Sequence, residues 1–419
     1  MNKINRKIQS AVVAAALMLG CASSANAAIT LVQTEDGWTV QLMGLISAFT
    51  GNSDFDNGES STRVITGFNP SKLEAVVVAP EYNGMTVLAY FQLATSLNGA
   101  KTRRTGEQIE VRAADIAIAG SFGTINLGRS FAIHDSLPTI NDTGSMKGVG
   151  YLCTGPDGAG PNCGHIGTGY SWPDWTAGVR YASPRAGGLQ FRAGIFDPIE
   201  TAFGIPGGAT PFVNTDAFNL FNFTSLGSAI ETSTPLFEAE LNWSKAFGSG
   251  NLLAWSSFLT QEVEDFNSSN STDIQAFSAG GRLTFNTTNN STFGITGNWT
   301  ETEGVAEGFL GFGVRCESDA CDAVDGNQWY VNLDYTFNAK TTIGFSYGEG
   351  TEDANAVVGN GNVERELAVA YLQHQLTPNF NLSLELQSFE RSADTGFAAA
   401  IFAPNEEYDA VMLGGEFRF

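Results

Sequence analysis

From Trp38 onward the chain alternates. Trp38, Val40, Leu42, Gly44, Ile46 and Ala48 share one parity, with Thr39, Gln41 and Ser47 on the other, the pattern of a strand with one apolar face. The period of two returns at Met85, Val87, Ala89, Phe91 and Leu93, at Phe237, Ala239, Leu241 and Trp243, at Trp329, Val331, Leu333, Tyr335 and Phe337, and at Leu382, Leu384 and Leu386. No helical period displaces it. With less regular segments included, the pattern predicts sixteen strands, near 38–49, 72–79, 85–97, 108–119, 123–130, 168–182, 188–196, 235–247, 251–261, 273–286, 291–302, 327–337, 340–349, 363–376, 380–391 and 408–419. Tight junctions such as Phe337-Asn338-Ala339-Lys340 alternate with long ones at 131–167, 197–234 and 303–326. An even strand count with short turns at one end and long loops at the other predicts an all-β fold, a transmembrane antiparallel β-barrel. A soluble sandwich would show similar strands one by one. Trp38, Phe49, Trp299, Trp329 and Phe337 at strand ends favour the membrane, as interfacial girdles. So does the last strand, which ends on Phe419 and would turn Ala410, Glu416 and Arg418 to the lumen.

Composition fits a wall that is half lipid and half water. The 419 residues include 48 Gly and 30 Phe, and mean hydropathy is −0.05. The one uninterrupted apolar run, Ala11 to Gly20, is too short to span a bilayer as a helix. Lys3, Arg6 and Lys7 precede it and Ala25-Asn26-Ala27 follows, so 1–27 reads as a secretory signal and 28–419 as the barrel. Met18-Leu19-Gly20-Cys21 offers a rival lipoprotein reading. Loss of 1–27 removes three basic residues and no acidic one, taking the formal charge from −23 to −26. Such acidity argues against nucleic acid as a partner. Export leaves Cys153, Cys163, Cys316 and Cys321, which allow three pairings; Cys153–Cys163 with Cys316–Cys321 is favoured because each pair lies in a Gly- and Asp-rich loop. Zinc is the sharper alternative, but His165 is the only nearby imidazole, and neither metal nor cofactor is expected.

Several segments carry a family resemblance. Ser71-Lys72-Leu73 with Ala89-Tyr90-Phe91-Gln92-Leu93, Arg112-Ala113-Ala114 leading to Gly120-Ser121-Phe122-Gly123-Thr124-Ile125-Asn126-Leu127-Gly128-Arg129, Val179-Arg180-Tyr181-Ala182-Ser183-Pro184 and the terminal Phe419 resemble strands of the Gram-negative general porin family. The resemblance implies a homotrimer of sixteen-stranded outer-membrane channels, set among lipid and lipopolysaccharide, passing small hydrophilic solutes and ions. It also implies a third loop folded into the lumen, here about Ser130 to Gly167, whose Asp135 and Asp142 would oppose basic wall residues Lys72, Arg112 and Arg129 across the constriction. The family's acidic-aromatic-glycine stretch is not evident, and Cys153 and Cys163 occupy an extended version of that loop. Parity conflicts in the fourth strand: with Arg112 inward, Asp115 points out, unless a bulge resets the face or a neighbouring subunit covers it.

The acidity predicts a preference for cations, through attraction at the channel mouths. A substrate-specific channel, for sugars or another solute, is a competing function. An outer-membrane enzyme is a further rival, but His134, His165 and His374 lack a partner motif in the sequence, so no catalysis is expected.

Overall fold

Sixteen antiparallel strands close into one barrel, described by a computed structural model. It covers residues 28–419 except 57, 96, 98–108, 154–161, 199–229, 232–233, 266–269, 288–289, 311–312, 318–319, 355–360 and 395–405. The expected signal segment 1–27 and most of the Phe-rich stretch 197–234 lie outside the described residues. Around the barrel run β1 (Thr39–Phe55), β2 in two pieces (Ser60–Ile65 and Ser71–Val78), β3 (Thr86–Thr95), β4 (Ile109–Gly120), β5 (Gly123–Phe131), β6 (Trp175–Ala182), β7 (Leu189–Phe196) and β8 (Leu236–Phe247). They continue with β9 (Gly250–Asp265), β10 (Ser271–Asn286), β11 (Thr292–Glu303), β12 (Asp325–Phe337), β13 (Thr341–Ala354), β14 (Gly361–Thr377), β15 (Phe380–Ala393) and β16 (Glu406–Arg418).

Closure is made by β1 against β16, with Ile46 opposite Phe417 and the backbone of Phe419 exchanging both hydrogen bonds with Gly44. A short strand, Ile29–Gln33, pairs with the start of β1 where β16 has ended. Every spanning strand therefore has neighbours on both sides, the condition for backbone amides to enter hydrocarbon.

Polarity is inverted relative to a soluble core. Phe91, Leu241 and Leu413 on the outer face are 51%, 52% and 53% exposed, whereas Asn332, Glu385 and Arg391 on the inner face are buried. A continuous apolar exterior of this extent suits lipid and not water. Trp38 and Phe337 sit exposed at strand ends, as the girdle reading requires, while Trp299 is exposed four residues inside the end of β11. Phe49 does not: it has the parity opposite to Ile46 and packs inside against Ile65 and Phe68.

Three local departures position the interior. First, β2 breaks over residues 66–70, where Phe68 N–H donates to Gly148 O (3.0 Å) and Gly67 O accepts from Asn162 N–H (3.3 Å); its ladder groups are spent on a loop inside the barrel. Second, Gln92 pairs with Ala113 but Leu93 with Val111, so Arg112 is the extra residue of a bulge. The bulge turns both Arg112 and Asp115 inward, which resolves the parity conflict without a neighbouring subunit. Third, β6 begins at Trp175 and not at 168, because Pro173 has no N–H to give and Asp174 is left-handed (φ 57°). The third long loop, L3, thus spans 132–174. The sixth, L6, spans 304–324 and also enters the barrel, its Val305, Leu310 and Val314 sharing an apolar cluster with inward residues of β7 to β10.

Candidate functional site

L3 leaves β5 and turns inward because a wall carboxylate takes its first free amides. Glu238 Oε2 on β8 accepts from Ile133 N–H (2.5 Å) and His134 N–H (2.8 Å). A short helix α1 (Ser136–Asn141) follows, with the Thr139 hydroxyl donating to Asp135 O, Arg192 donating to Ser136 Oγ, and Tyr330 OH donating to Pro138 O. Across the barrel, Glu385 on β15 repeats the device, accepting from Val149 N–H (2.8 Å) and Gly150 N–H (2.7 Å). The tip is held by Tyr151 stacked on Phe389 (4.2 Å between ring centres) and by a disulfide between Cys153 and Cys163. The sequence pairing of these two cysteines is therefore formed. Cys316 stands opposite Cys321 in the register of a hairpin in L6, and Cys321 is disulfide-bonded.

The loop returns past His165, which stacks on Tyr330 and bonds Ser346 Oγ through Nε2 (2.8 Å). Asp135 and Asp142 are both fully buried and tie this returning limb to the outgoing one. Asp142 Oδ2 accepts from Tyr170 OH (2.8 Å), and Asp135 Oδ2 accepts from Ser171 N–H (2.7 Å) and Thr300 Oγ1 (3.2 Å). They act as struts within the loop, and among the described residues their hydrogen bonds go to Ser171, Thr300 and Tyr170 and not to Lys72, Arg112 or Arg129.

The wall residues have partners of their own. Lys72 Nζ lies 3.0 Å from Glu74 on the same strand, and Arg112 Nε lies 3.0 Å from Glu110 with its guanidinium over the Trp175 ring. Arg129 is on the outer face, opposite Ala114, with Nε donating to Val111 O; strand register puts it outside the passage. Inward arginines escaped the sequence reading, among them two near the start of L3. Arg180 on β6 bonds Asp115 (2.6 Å), and Arg192 on β7 faces Glu240 (3.4 Å). The signal was present: each is a lone charge between outward apolar residues, Arg180 between Val179 and Tyr181, and Arg192 between Phe191 and Ala193. Glu238 and Glu385 carry the same signal.

One array resembles a hydrolytic triad. His134 Nδ1 is 3.0 Å from Ser257 Oγ, and His134 Nε2 is 3.4 Å from Asp135 Oδ2. All three residues are buried, and both oxygens have further duties: Ser257 Oγ also accepts from Asp135 N–H, and the carboxylate holds Ser171 and Thr300. A nucleophile must reach its substrate, and this hydroxyl is packed under L3. The array joins L3 to β9.

Burial pushes the imidazoles of His134 and His165 below their ordinary 6.5, with Asp135 and Asp142 opposing in part. Each ring is neutral in the docked loop and titrates near 6.5 when released, so its contribution to docking is present above that pH and lost as pH falls. Lowering the pH from about 8 to about 5 is expected to increase current noise in single-channel records, less so in His165→Asn. Identical records at the two pH values would contradict this.

The Gram-negative porin family model matches residues 11–394. The chain belongs to the Gram-negative porins. No curated protein matches this porin in sequence. Among solved structures it is similar to the anion-selective porin from Comamonas acidovorans (13% identity, 91% of this chain and 100% of that one, TM-score 0.58). It is similar as well to the outer membrane channel DcaP of Acinetobacter baumannii (12%, 93% and 100%, TM-score 0.60) and to Salmonella typhi OmpF in complex with daunomycin (12%, 93% and 100%, TM-score 0.56). At such identities the likeness establishes the fold of this porin, a β-barrel of the outer-membrane type.

Proposed function

We propose that this porin is a homotrimeric diffusion channel of the outer membrane, exported by cleavage after Ala27, that passes small hydrophilic solutes and ions with a preference for cations. The observation that carries the reading is a lipid-compatible barrel whose polar interior is crossed by a loop anchored at both sides, by Glu238 and Glu385. We assign it no catalysis.

The cation preference rests on charge distribution. Lys72, Arg112, Arg180 and Arg192 each have a carboxylate beside them, so the inner wall of these strands is close to balanced. The excess acid lies elsewhere: Asp54, Glu364, Glu366, Glu390, Glu407 and Asp409 are exposed on the outer face at the long-loop ends of their strands. Their field draws cations to the mouth, and at this height they would meet lipopolysaccharide headgroups through bridging divalent cations. Attraction at a mouth is screened, so the preference is expected to be clear at about 0.1 M salt and weak at about 1 M, as the Debye length falls from about 10 to about 3 Å.

Planar-bilayer recording tests the reading. Three equal conductance steps and a cation-directed reversal potential at low salt are expected. Silence would remove the channel, and anion preference persisting at low salt would remove the selectivity. A sugar-specific channel would show saturating permeation of one sugar class in liposome swelling, and a diffusion channel a smooth decline with solute size.

A further inference from the structure

L6 enters the barrel by two independent means. Val305, Leu310 and Val314 pack into one buried apolar cluster with inner-wall residues, Leu259 and Ile274 among them. Glu307, at the turn of the small hairpin Val305–Ala306 with Phe309–Leu310, is buried and left-handed (φ 54°). Its carboxylate sits between Arg391 (3.2 Å) and Arg365 (3.5 Å), while its N–H donates to Glu352 (2.6 Å).

Arg365 is the junction. It binds Glu352 on β13 (2.6 Å), faces Glu307 of L6, and donates from Nε to Gly167 O of L3 (3.2 Å). The two loops also touch through their backbones. Trp172 N–H donates to Gly308 O (2.8 Å), and a Cβ on Gly308 would fall 2.4 Å from Gly167 N. Both glycines have positive φ, and no side chain fits between them.

We propose that L6 is a second constricting loop fastened to L3, with Glu307 as its positioning residue, so that the size limit for solutes is set by the two loops together. This rests on the diffusion-channel reading. Apolar packing keeps water, and hence solute, from the side of the lumen that L6 fills, and the Glu307–Arg365–Gly167 link carries any displacement of L6 into L3. A buried carboxylate that satisfies two guanidinium groups is costly to remove, because both are left facing fewer acceptors.

The test compares Glu307→Gln, Glu307→Asp and Gly308→Val with the unaltered chain, each first shown to be folded by its heat-dependent shift on a gel. Glu307→Gln and Gly308→Val are expected to raise single-channel conductance about 1.5-fold or more, since conductance follows the open cross-section, and to raise the rate of raffinose relative to arabinose in liposome swelling. Glu307→Asp should restore most of the difference. Trypsin cleavage within L6, which carries Arg315, should be faster in Glu307→Gln and near the original rate in Glu307→Asp. Folded variants with unchanged conductance, sugar ranking and cleavage would overturn the proposal. If the unaltered chain itself forms no channel, the diffusion reading fails separately, and unchanged cleavage alone then overturns the fastening of L6.

Discussion

Glu385→Leu is expected to leave the barrel folded while freeing the far side of L3. The carboxylate accepts from two consecutive amides, Val149 N–H and Gly150 N–H, at the bend before the disulfide. Hydrogen bonds to a charged acceptor contribute about 1.5–3 kcal/mol each, so the docked position of the loop loses about 3–6 kcal/mol, less whatever channel water restores. Tyr151 on Phe389 and Leu152 N–H to Tyr408 OH would remain, which places the effect on position and not on barrel assembly. Conductance and current noise should both increase, with Glu385→Gln intermediate because an amide oxygen still accepts one bond. Folded Glu385→Leu channels with the original conductance and quiet baseline would show that L3 is held by other means. Glu238→Gln should act in the same direction at the start of the loop.

A charge on the outer face gives the second large effect, and its size should depend on depth. Leu384 lies in the middle of the outward apolar run Leu382, Leu384, Leu386 of β15, and Ser388 lies on the same face two steps nearer the long-loop end, next to Glu390. Leu384→Arg is expected to cost about 2–4 kcal/mol in refolding titrations into lipid vesicles, and Ser388→Arg about 0–1 kcal/mol. The cost arises from moving a guanidinium out of water, and it shrinks as snorkelling to the headgroups becomes possible. Equal costs at the two sites would mean that the apolar belt is placed at the wrong height, or that this face is not in lipid.

The expectation that loop acids face wall bases failed for an identifiable reason. Asp135 and Asp142 are in L3, and Lys72 and Arg112 are on the inner wall. Which charge meets which depends on register and on loop path. A bulge at Arg112 sets it beside Glu110, strand parity sends Arg129 outward, and the two aspartates close L3 on itself through Ser171 and Tyr170.

The sequence by itself determined the strands, their faces and the barrel. A period of two is a local property, readable wherever lipid lies on one side and polar interior on the other, and the terminal strand showed how the sheet could close without an edge. It also marked the lumen charges, as single polar residues between outward apolar ones. The tertiary structure alone decided what those charges do. Val149 and Glu385 are 236 residues apart, Glu307 and Arg391 are 84 apart, and no local period encodes such meetings. The break in β2 at Gly67 and the entry of L6 belong to the same class. Each exists because a loop already inside the barrel takes up backbone groups or apolar surface that the wall would otherwise leave unmatched.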